Sequence, residues 1–95
     1  MPVEFSLGQN YPNPFNPSTE IRYQLASGGR AMLTIHNLLG QEVARLADVD
    51  RPAGYYSAHW EAAGVPTGVY YARLIVNSPN GARVYEATRK LVLMR

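Results

Sequence analysis

The sequence predicts an all-β fold, an antiparallel sandwich, on three observations. Polar and apolar residues alternate strictly over Thr19–Leu25 and again over Tyr55–Glu61, the period of a strand with one wet face. Turn signals built from Gly, Pro, Asn and Asp recur roughly every 8–12 residues, the spacing of short antiparallel strands. No window carries a 3.6-residue apolar stripe of helix length. Seven tyrosines and one tryptophan among 95 residues add to the strand preference.

Taken in order, residues 1–17 form a lead-in with an edge strand at Glu4–Leu7, and residues 18–95 form the sandwich, a single domain overall. The lead-in contains Tyr11-Pro12-Asn13-Pro14-Phe15-Asn16-Pro17. Each proline fixes φ, lacks an N–H and biases the residue before it toward extended backbone. The segment is therefore stiff, neither helix nor central strand, and is expected to cover or terminate a sheet edge. Its asparagines suit local side-chain turns, and its rings, Tyr11 and Phe15, suit pinning onto a sheet.

Thr19–Leu25 follows as a strand with Ile21, Tyr23 and Leu25 inward. Ala26–Gly29 reads as a turn to a strand Ala31–His36, with Leu33 and Ile35 inward and Met32, Thr34 and His36 outward, the two strands forming a hairpin. Asn37–Gln41 breaks the alternation, and Glu42–Leu46 resumes as a short strand. Ala47–Gly54 reads as a polar loop, after which Tyr55–Glu61 places Tyr56, Ala58 and Trp60 inward. Val69–Asn77 is the most apolar strand, with Tyr70, Ala72, Leu74 and Val76 inside. Ser78-Pro79-Asn80-Gly81 is a hairpin turn. Ala82–Met94 closes the chain, bulged near Ala87. Seven strands is the number of a small immunoglobulin-like sandwich, with Trp60 its core anchor.

Composition excludes several classes. With 46% hydrophobic and 17% charged residues the chain is globular rather than disordered. The absence of cysteine removes disulfides, thiolate catalysis and zinc thiolate sites. No apolar run approaches the roughly 20 residues of a membrane-spanning helix, so no membrane insertion is expected. Net charge is +2, with Lys and Arg scattered, which argues against nucleic acid as partner. Met1-Pro2-Val3-Glu4 has neither the basic nor the apolar region of a signal peptide.

Catalytic chemistry is not legible. His36 and His59 fall at outward strand positions and lack a third ligand for a metal. Asp48 and Asp50 flank Val49 as a sparse surface cation site at best. Ser57 sits in no nucleophile elbow, and no glycine pattern cradles phosphate. Tyr55 and Tyr71 are read as cross-strand pairs. A binding or structural module is expected, not an enzyme, with no cofactor.

Six motifs in order carry a family resemblance: Tyr11–Pro17, Thr19–Tyr23, Asn37–Val43, Ala53-Gly54 with Trp60, Pro66–Tyr70, and Thr88–Leu93. From Leu7 onward the chain resembles the type A C-terminal sorting domains of the type IX secretion system, which overlap with the immunoglobulin-like domain of flagellar hook-capping proteins. The resemblance implies an exported protein at the cell surface or outside the cell. It also implies a fused cargo, recognition by an outer-membrane translocon, and removal of the domain by a surface peptidase. By position it assigns recognition to Gly68, Val69 and Tyr70 and to Lys90, Leu91, Val92 and Leu93. Met1 opens directly onto the domain, so the chain is read as an excised module or as a subunit acting alone.

Two other readings share the fold. One is a hook-cap-like structural module that self-associates through an edge strand, for which the apolar run Leu91–Met94 is the expected site. The other is a carbohydrate-binding module, which would need exposed tyrosines on a flat polar face.

Overall fold

A computed structural model describes residues 2–94; Met1 and Arg95 lie outside the described residues. Seven strands form two antiparallel sheets: β1 (Ser6–Leu7), β2 (Ser18–Leu25), β3 (Gly29–His36), β4 (Glu42–Arg51), β5 (Gly54–Glu61), β6 (Gly68–Asn77) and β7 (Arg83–Leu93). One sheet has the order β1-β2-β5 and the other β4-β3-β6-β7. This is an immunoglobulin-like sandwich in which the fourth strand has joined the second sheet. Tyr70, near the start of β6, donates its hydroxyl to the Pro66 carbonyl at 2.5 Å, four residues upstream. Such a corner tyrosine is a hallmark of these sandwiches.

The alternation fixes the core as expected. Ile21, Tyr23 and Leu25 of β2 face Leu33 and Ile35 of β3 and Ala72, Leu74 and Val76 of β6 across the interior, all buried. Trp60 is buried at one end, against Phe15 and Tyr70. The turn after β6 is also as expected. Gly81 takes φ 89° there, and its N–H donates to the Ser78 carbonyl at 2.8 Å.

The β2–β3 hairpin is not formed. β2 pairs with β1 and β5, whereas β3 pairs with β4 and β6. Both strands bury an apolar face, and such faces meet across a sandwich about 10 Å apart, not side by side. Residues 26–28 therefore cross between sheets. Gly29 is needed for close approach rather than for φ, since a Cβ built there would lie 2.3 Å from the Asn77 carbonyl oxygen. Gly29→Ala should lower stability by about 1–3 kcal/mol, read as a shifted urea midpoint with unchanged slope. A cost below about 0.5 kcal/mol would mean that β6 simply gives way.

Two smaller corrections concern β4 and β7. Ala47–Arg51 is not a loop but the second half of β4, paired with Gly29–Leu33. β4 is an edge strand, so its polar residues stay in water while its backbone joins the ladder. The irregularity in β7 lies opposite Val76 and Asn77, which pair with Tyr85 and Arg83, so the extra residue is Val84 rather than one near Ala87. Thr34, although on the outer face, is buried because β4 and β6 flank β3 and its hydroxyl meets the His36 ring.

Candidate functional site

The lead-in is tied down by polar groups, of which Asn10 and Gln9 had no signal in the sequence and Asn13 was expected to act locally. Asn10 is buried and donates to the Pro12 carbonyl at 3.0 Å and to Thr19 Oγ1 at 2.9 Å. Asn13 forms no local turn but reaches across to β7, its Oδ1 accepting the Val92 N–H at 3.0 Å. Phe15 then behaves as a single extra strand residue. Its N–H donates to the Val92 carbonyl at 2.9 Å and its carbonyl accepts the Met94 N–H at 3.0 Å. Gln9 caps the Lys90 carbonyl at 2.8 Å. The lead-in thus covers an edge, as its prolines suggest, and the edge is that of Lys90–Met94. Strand addition at Leu91–Met94 is therefore not open as expected from sequence, because those backbone groups are already paired.

The two motifs to which the resemblance assigns recognition, with nineteen residues between them, are cross-strand partners. Gly68 pairs with Leu93, Val69 with Val92, Tyr70 with Leu91, and Tyr71 with Lys90. Their side chains divide by face. Tyr70, Leu91 and Leu93 are buried in the core. Lys90 is exposed, and Gly68, Val69 and Val92 are half-buried.

Beside them lies the Asn37–Gln41 loop. Asn37 Oδ1 accepts the N–H groups of Leu39 and Gln41, each at 3.0 Å. His36 Nδ1 lies 3.2 Å from the Gly40 carbonyl. The loop is therefore fixed while Leu38 and Leu39 stand in solvent, 70% and 83% exposed. Together with Val43, Val65, Pro66 and Val69 they line an open groove of about 330 Å³. Two adjacent leucines are thus held in water as an exposed apolar patch. The sequence signal was available: Leu38-Leu39 between Asn37 and Gly40 is an apolar pair inside a turn.

Residues 9–93 match the family described as the secretion system C-terminal sorting domain. The chain belongs to that family. It is a sorting domain of type IX secretion, and the protein carrying it is secreted. No curated protein matches the chain.

The two histidines of this sorting domain do not converge. His36 lies on β3 and His59 on β5, in different sheets. Among the described residues no three His, Asp or Glu side chains gather as a metal site, and no helix is long and apolar enough to cross a membrane. Asp48 is held by Arg30 at 2.9 Å and Arg45 at 2.8 Å, and Glu42 by Arg45 at 3.0 Å. Arg45 beside them pulls both carboxyls below their ordinary values. Their stabilisation is present above about pH 4 and is lost as pH falls through the lowered values. In Arg45→Ala the fall of the urea midpoint between pH 6 and pH 3 should be shallower than in the parent. An identical fall would show that the network contributes nothing at this exposed surface.

Proposed function

We propose that the translocon reads the groove end of the sandwich: Leu38, Leu39 and Val69 with the outward members of the β7 motif, Lys90 and Val92. The observation supporting this is the cross-strand register that puts Val69 against Val92 beside two leucines held in water. Gly68 keeps the groove floor low, while Tyr70, Leu91 and Leu93 act from within by holding the two strands together. A surface peptidase then acts on the displayed fusion, and the cargo is delivered to the cell surface or the medium. Interface energy concentrates in a few residues, and this reading puts Leu38 and Leu39 among them, so Leu38→Ser with Leu39→Ser should cut the surface secretion of a fused, periplasm-exported reporter by about tenfold or more. The substituted residues are exposed, so an unchanged unfolding transition is expected alongside. Normal secretion by the folded double variant would overturn this assignment.

A further inference from the structure

The outer face of the three-stranded sheet is built from three short rows. Ser6, Gln24 and Tyr55 form one, and Arg22 with Ser57 forms the middle one, completed by Gly8, whose N–H donates to the Arg22 carbonyl at 2.8 Å. Tyr11, Glu20 and His59 form the last. Two shallow cavities on this face share Arg22. One, of about 200 Å³, lies toward Gln24 and Tyr55, and the other, of about 170 Å³, toward Tyr11 and Glu20. Tyr11 and Tyr55 are 81% and 70% exposed. Neither joins the aromatic pairs formed by Phe5, Phe15, Tyr23, Tyr56, Trp60, Tyr70 and Tyr85. Among the described residues the Arg22 side chain makes no hydrogen bond or ion pair, unlike Arg30, Arg45, Arg73 and Arg83.

We propose that this face binds a short acidic oligosaccharide. The C–H faces of pyranose rings pack on Tyr55 and Tyr11, whose ring faces carry negative charge density. Strand spacing puts the two tyrosine Cα positions about 16 Å apart, the reach of a few linked sugars. Arg22 is the charged side chain lining the Tyr55 cavity, so it takes a sugar carboxylate there through its planar fork. Glu20 lines only the Tyr11 cavity, where it accepts sugar hydroxyls, so the neutral ring belongs on that side. This face is on the opposite sheet from the groove residues on β6 and from the β7 motif, so sugar binding and sorting are separable.

The test is titration of the ¹⁵N-labelled chain with a hyaluronan tetrasaccharide, in which uronate rings alternate with neutral ones, and with maltotriose as the neutral control. The amides of Gly8, Arg22, Gln24 and Tyr55 should shift with the tetrasaccharide. Losing a charge-assisted hydrogen bond should weaken binding in Arg22→Gln by about tenfold or more, and Tyr55→Ala should show a loss of similar size. Both side chains are exposed, and the amide spectrum itself reports that the variants remain folded. No shift at these amides at millimolar sugar, or unchanged affinity in both variants, would overturn the proposal. Equal affinity for maltotriose would overturn the role given to Arg22.

Discussion

Trp60→Ala should lower the unfolding free energy by about 3–5 kcal/mol, the range for deleting a large buried aromatic. Trp60 is 5% exposed and belongs to β5, in the smaller sheet. Its ring meets Tyr70 of the larger sheet edge-on at 5.5 Å and Phe15 of the lead-in at 5.5 Å. One side chain thus joins both sheets and the segment that closes them. A domain of this size holds roughly 5–14 kcal/mol in all. The variant should therefore be marginal at 37 °C, with a large drop in urea midpoint. Protection of the Met94 amide, which donates to Phe15, should fall more than that of β3 amides. A loss below about 1 kcal/mol would mean that the core closes around the gap, and that Trp60 is not its anchor.

Removing residues 90–95 should abolish secretion of a fused reporter, but not for a single reason. Leu91 and Leu93 are fully buried. Val92 and Met94 are the backbone partners of Phe15 and Asn13. The truncation therefore removes core side chains at about 2–5 kcal/mol each and frees the lead-in, so it should unfold the domain. Loss of export in that variant does not separate recognition from folding. Lys90→Ala does, because its side chain is exposed and its carbonyl, which Gln9 caps, is unchanged. If recognition uses Lys90, the folded variant should show reduced surface reporter with an unchanged urea midpoint. Full secretion by Lys90→Ala would confine recognition to the apolar groove residues. Full secretion by the truncated chain would remove β7 from the mechanism altogether.

The alternation of Thr19–Leu25 and Tyr55–Glu61, and the Asn80-Gly81 turn, determined strand identity, inward faces and one hairpin. These are local properties: side chains alternate across a strand, and Gly81 takes positive φ without help from the rest of the fold. The ordered motifs also carried the family, and with it the sorting role. What the sequence did not determine was partnership. Whether Leu25 and Ala31 lie side by side or face each other is decided by burial of both apolar faces at once. Whether Ala47–Arg51 is loop or strand is decided by β3, which offers it a ladder. Asn13 looked like a local turn residue and became a partner of Val92, because the lead-in returns past the far end of the chain. The same holds for the site. Gly68–Tyr70 and Lys90–Leu93 could be named separately, but only the β6–β7 register makes them one surface. Only the packed sandwich divides them into groove and core, because burial depends on contacts distant in sequence.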